Sequence, residues 1–125
     1  MTMVIMLSLY SFSQDQRKID SLNIELKNNI FLNDSSEICE IIYKIGREYF
    51  FVQSNEIAYS YLTNALKYAD EKQSLRIYNL TGGIFWQRAE YEKSMEIYQE
   101  ALAISENLNE TEIRPMILNN IGMIY

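Results

Sequence analysis

Ile42-Tyr-Lys-Ile-Gly46-Arg-Glu-Tyr49, Tyr78-Asn-Leu-Thr-Gly82-Gly-Ile-Phe85 and Leu118-Asn-Asn-Ile-Gly122-Met-Ile-Tyr125 lie over one another without a gap. In each, a large apolar or aromatic residue stands four before a glycine and an aromatic stands three after it. The register continues beyond the glycines. Ala58, Leu62 and Ala65 follow Gly46 at the same offsets at which Ser94, Tyr98 and Ala101 follow Gly82. Spacings of three and four place these residues on one face of a helix, so the unit that repeats is a pair of helices. Small residues at Gly46, Gly82, Gly122, Ala58, Ala65, Ser94 and Ala101 let two helix backbones approach closely. Tyr49, Phe85, Tyr98 and Tyr125 are expected to fill the adjoining space. One such pair cannot bury its own apolar face, and stacking it on a neighbour supplies the missing contact.

The pattern resembles the tetratricopeptide repeat, whose signature is Trp-x2-Leu-Gly-x2-Tyr, then Ala-x3-Phe, then Ala, then Pro. The resemblance covers residues 36–125, about two repeats and the first helix of a third. The run Ala89-Glu-Tyr-Glu-Lys-Ser-Met-Glu-Ile-Tyr-Gln-Glu-Ala-Leu102 is close to the family's inter-helix turn and second helix. There are departures: the glycines are spaced 36 and then 40 residues apart, Thr81 stands where the family has Leu, and both complete repeats lack the closing Pro. Longer pitches of this kind resemble bacterial signalling members of the family.

The resemblance implies an all-α, helix-turn-helix solenoid of antiparallel helix pairs. It also implies a groove, lined by the first helix of each pair, that holds a peptide segment of another protein. Carried over by position, the groove residues are Tyr43, Arg47, Phe50, Arg76, Asn79, Trp86, Asn119 and Met123. In this scheme Asn79 and Asn119 hydrogen-bond an extended peptide backbone, Phe50 and Trp86 hold its side chains, and Arg47 and Arg76 hold a carboxylate. A purely structural account of the same residues also stands: Asn satisfies local backbone, aromatics at helical spacing belong to the core, and exposed Arg is solvated.

Ahead of the repeats, residues 1–14 begin with an uncharged apolar run, and Asp15, Arg17 and Lys18 open a polar chain. Twelve such residues are too few to span a bilayer, which takes about 20, but they match the apolar core of a secretory signal, without the usual basic start. An extra buried helix is the other reading. A leader places the chain outside the cytoplasm, periplasmic or membrane-associated, and its absence leaves the chain cytoplasmic. Ile19, Leu22, Leu26 and Ile30 then mark a lead-in helix within residues 15–35. Asp34 with Glu37, and Asn109 with Glu112, have the spacing of helix N-caps, and Pro115 suits a first helical turn.

Composition narrows the function. Eleven Lys and Arg against seventeen Asp and Glu give a net charge of −6, which repels phosphate backbones, so no nucleic-acid partner is expected for this segment. Histidine is absent and Cys39 is the single cysteine, which removes Ser-His and Cys-His nucleophile pairs, CxxC metal or redox motifs and any internal disulfide. Cys39 is read as a buried inert thiol. Gly82-Gly83 lacks the further glycines and Lys of a phosphate-binding loop. The expectation is therefore a non-catalytic protein-binding or peptide-binding module with no cofactor and no metal. Alternatively, it is the sensor segment of a bacterial two-component histidine kinase or transcriptional regulator whose catalytic or DNA-binding domain follows Tyr125. The last helix, with Leu118, Ile121, Ile124 and Tyr125, lacks a following partner, so self-association through that end is also expected.

Overall fold

A computed structural model describes residues 3–32 and 34–125, with the side chains of residues 3, 14–30 and 34–125. The chain forms α1 (Met3–Leu32), α2 (Ser35–Phe51), α3 (Asn55–Ala65), a 3-10 turn (Leu66–Tyr68), α4 (Glu71–Gln87), α5 (Tyr91–Asn107) and α6 (Arg114–Ile124), with no strand among the described residues. The fold is all-α: α2 pairs with α3 and α4 with α5, and α1 covers the outer side of α2. The helices α2, α4 and α6 stand in a row along one wall. The lead-in helix is the latter part of α1, which starts at Met3. The leader reading rests on residues 1–12, whose side chains apart from Met3 lie outside the described residues. No described helix is long and apolar enough to cross a membrane.

Each helix pair closes through the same three-residue turn. The Gln53 N–H donates to the Phe50 carbonyl at 3.0 Å and the Ser54 N–H to that of Tyr49 at 2.9 Å. The Ala89 and Glu90 N–H groups meet the Trp86 and Phe85 carbonyls at 3.0 and 2.9 Å. The middle residue is left-handed in both, φ 60° at Gln53 and 59° at Ala89. This is the usual way of satisfying the last helical carbonyls, here made without glycine. The same turn follows α5, with Asn109 at φ 51°. Asn109 therefore ends α5 and does not cap α6, as its spacing to Glu112 had implied. The start of α6 carries no side-chain cap; the Glu110 carboxylate instead holds the segment before it, accepting the Glu112 and Ile113 N–H groups at 3.0 and 2.9 Å. These bonds hold its pKa below the usual carboxylate value. The Asp34 cap is as expected, with its carboxylate accepting from the Glu37 N–H at 3.1 Å.

Burial follows the repeat. Ala58, Leu62 and Ala65 are fully buried, as are Ser94 and Ala101, with Tyr98 3% exposed. Ile38, Ile42, Leu62, Ile77 and Ile84 form one core cluster, and Leu75, Tyr98, Ala101 and Ile117 a second. Burying each large side chain contributes about 1.5–3 kcal/mol. Polar substitutions within the pattern are satisfied locally. The Thr81 hydroxyl donates to the Ile77 carbonyl at 2.8 Å, and the Ser94 hydroxyl reaches across to the Gly82 carbonyl at 2.8 Å. Gly82 is needed for close approach, since a Cβ there would lie 2.5 Å from the Tyr98 ring.

The third segment corrects the expectation. Among the described residues nothing lies within 4 Å of a Cβ built on Gly122, and Tyr125 is 93% exposed, so neither the close approach at this glycine nor the filling by this tyrosine is made. Ile117, Ile121 and Ile124 pack against the second core instead, which leaves Leu118 about half exposed.

Candidate functional site

The eight groove residues separate into two neighbouring groups. Toward the N-terminal end of the wall, α2 and α4 bring Tyr43, Arg47 and Arg76 together, with the two guanidiniums 5.8 and 5.1 Å from the centroid of the Tyr43 ring. Arg76 pairs with Glu40. Its charge is balanced within the fold, so the pair of arginines expected to receive a carboxylate is reduced to Arg47. The Arg47 Nε is buried with no hydrogen-bond partner among the described residues. Burial pushes the Tyr43 phenol up, against the opposing pull of both guanidiniums.

Gln73 anchors this end, and its contribution was not anticipated from the sequence. Its side-chain oxygen accepts the Asp70 N–H at 3.1 Å while the Asp70 carboxylate accepts the Gln73 N–H at 2.7 Å. Its amide nitrogen donates to the Ser36 carbonyl and to Glu40, each at 3.1 Å. Gln73 thus completes the capping box that Asp70 opens at the start of α4 and ties that start to the start of α2. The Asp-x-x-Gln spacing at residues 70–73 was the available signal.

One turn further along, where α2, α4 and α6 meet, lies a cleft of about 290 Å³. Phe50 of α2, Asn79, Gly83 and Trp86 of α4, and Asn120 and Met123 of α6 line it. The Tyr98 side chain reaches it from behind. Gly83 leaves room for Phe50, whose ring carbon lies 3.4 Å from where a Cβ would be. The Tyr98 phenol is pushed up to about 12 by burial, so it stays protonated. Ligand pockets generally run from about 300 to 1,000 Å³, and this one has room for one or two large side chains.

Asn79 is held by the Asn120 amide, which donates to its carbonyl oxygen at 2.8 Å. Asn119, the residue matched by position, is exposed and does not line the cleft. The reason is geometric. Asn120 stands in α6 where Leu80 stands in α4, on the side turned toward the preceding helix pair, and Asn119 is on the far side. The Asn79–Asn120 bond leaves the Asn79 amide hydrogens and the Asn120 carbonyl oxygen as a donor and acceptor at the cleft wall. Trp86 and Met123 are partly exposed there, at 36% and 56%.

Cys39 is 1% exposed, and burial first and then Glu40 push its thiol up to about 11, which makes it a poor nucleophile. Among the described residues no cluster of His, Cys, Asp or Glu side chains is arranged to hold a metal ion. Comparison with protein-family models, with curated proteins and with solved structures finds no match.

Proposed function

We propose that the chain is a tetratricopeptide-type module that binds an extended segment of another protein in the cleft of α2, α4 and α6, and acts by binding rather than catalysis. The observation that carries this reading is the convergence of Phe50, Trp86 and Met123 around a free amide donor and acceptor at Asn79 and Asn120. Rings and a thioether give apolar contact to side chains, and paired amides match the alternating C=O and N–H groups of an extended backbone. Arg47, one turn before Phe50 on α2, adds a positive charge beside the cleft.

The reading is tested by panning a phage-displayed random peptide library on the full chain. Enriched peptides are expected to bind saturably, and Trp86→Ala combined with Met123→Ala to weaken them roughly tenfold, about 1.4 kcal/mol. Tyr91→Ala, on the outer side of α5, leaves them unchanged. No enrichment over bare support, or binding indifferent to the double substitution, overturns the proposal.

A further inference from the structure

The charged residues of the wall fall in two rows. Glu40, Arg76 and Met116 hold one place in α2, α4 and α6, six residues before each repeat glycine, and Arg47, Gly83 and Met123 hold another, one residue after it. Stacking of the pairs brings Glu40 against Arg76, so the first row carries no net charge. In the second row the charge of Arg47 stands alone. No carboxylate pairs with Arg47 among the described residues, and its Nε is buried without a hydrogen-bond partner. Lys44, which stands in α2 where Leu80 and Asn120 stand in the later helices, is on the side turned toward α1 and away from the cleft.

Arg47 and Arg76 share one ring, their guanidiniums 5.8 and 5.1 Å from the centroid of Tyr43. They make two neighbouring positions for a carboxylate, and the fold fills one of them itself. The Glu40 side chain is 25% exposed and accepts the Gln73 amide at 3.1 Å as well as Arg76. That amide is fixed in turn, because its oxygen accepts the Asp70 N–H at 3.1 Å. Glu40 is thus held from both sides, and it cannot leave Arg76 without also leaving Gln73. A second carboxylate brought to Arg76 meets the Glu40 charge, and like charges set side by side across an interface are strongly disfavoured. At Arg47 nothing of the kind intervenes, and a guanidinium partly out of water makes a strong bond to a carboxylate.

Given the peptide-binding reading of the cleft, on which this rests, we infer that Glu40 is a specificity-determining residue. By occupying Arg76 it closes one of the two carboxylate positions, so the bound segment carries a single acidic side chain, received by Arg47, close to the apolar residue seated in the cleft. Segments with a second acidic residue directed at Arg76 gain nothing from it.

The probe is the tightest peptide enriched by the panning described above, labelled with fluorescein and titrated against the full chain by fluorescence anisotropy. It is expected to carry one Asp or Glu near its apolar residue. Changing that residue to its amide weakens binding to the parent chain roughly tenfold and has no effect on binding to Arg47→Gln. A second Glu is then placed at each of the three positions beyond the first, on the side away from the apolar residue. The parent chain binds none of these peptides more tightly, whereas Glu40→Gln binds one of them roughly tenfold more tightly. Glu40→Gln keeps a side-chain oxygen to accept from Gln73, so its far-ultraviolet dichroism is that of the parent chain, and Lys44→Gln alters none of these affinities. A parent chain that tightens on a diacidic peptide, or a folded Glu40→Gln that does not, overturns the inference and leaves the cleft reading in place. So does an enriched peptide with no acidic residue that still loses binding when Trp86 and Met123 are replaced. The absence of any enriched peptide overturns both.

Discussion

Replacing each repeat glycine by alanine separates the close contacts of the fold from its sequence pattern. Alanine in a helix interior is favoured over glycine by roughly 0.5–1 kcal/mol, a gain common to all three sites. At Gly82 the new Cβ would lie 2.5, 2.7 and 2.8 Å from three atoms of the Tyr98 ring, against about 3.5–4.0 Å for relaxed carbon contacts. Tyr98 is 3% exposed and its ring cannot swing into solvent. Overpacking of this kind costs about 1–3 kcal/mol, so Gly82→Ala is expected to lose about 1 kcal/mol net. At Gly122 nothing stands within 4 Å among the described residues, so Gly122→Ala gains about 0.5 kcal/mol, the low end because the site is near the end of α6. Gly46 falls between, with the Leu62 Cδ2 and Cγ 3.1 Å away and the Tyr61 Cβ 3.3 Å away, distances relieved by a shift of a few tenths of an ångström, and Gly46→Ala is near neutral. Urea unfolding and thermal melts followed by far-ultraviolet circular dichroism measure the order, with about 4 °C in midpoint per kcal/mol for a chain of this size. Equal effects at Gly82 and Gly122, or a loss larger at Gly122, would refute the account of Tyr98 as the residue that demands glycine.

The Tyr98 phenol is held up to about 12 against about 10 in the unfolded chain, so the folded state keeps this proton longer. Its stabilisation is complete below pH 10 and is lost as pH rises from 10 to 12; Tyr98→Phe is expected to flatten alkaline unfolding over that interval, and an unchanged profile counts against it. Ala89→Gly relieves the left-handed backbone at φ 59° and should raise the unfolding free energy by about 0.5–1 kcal/mol, read as a higher urea midpoint with an unchanged slope, whereas a lower midpoint would show that the Ala89 side chain is needed. Gln73→Ala removes the bond from the Asp70 N–H to the Gln73 side chain, the reciprocal half of the α4 capping box, together with the bonds to Ser36 and Glu40, and is expected to cost about 1–3 kcal/mol; Asp70→Ala, which removes only the carboxylate bond to the Gln73 N–H, should cost less, and the reverse order contradicts the bridging role.

The sequence by itself determined the helices, their pairing and which residues enter the core. Offsets from Gly46 and Gly82 are properties of helical periodicity, and a 3.6-residue turn fixes faces before any tertiary contact forms, so Leu62, Tyr98, Ala65 and Ala101 were legible as buried. Phe50, Asn79, Trp86 and Met123 were legible as neighbours for the same reason, since one register places them on one wall. Only the tertiary structure decided which side of a wall helix meets the next one. That relation is set by the crossing of α4 and α6, and it brought Asn120, where the position match had given Asn119, to the cleft wall beside Asn79. It also balanced Arg76 with Glu40, because residues at equivalent places in successive helices come together only when the pairs stack. The left-handed turns at Gln53 and Ala89 carry no glycine to announce them, and the packing of the helices on either side holds them. A repeat specifies each face that its own neighbours cover. The exposure of Gly122 and Tyr125 depends on a contact between helices, which periodicity within one helix does not contain.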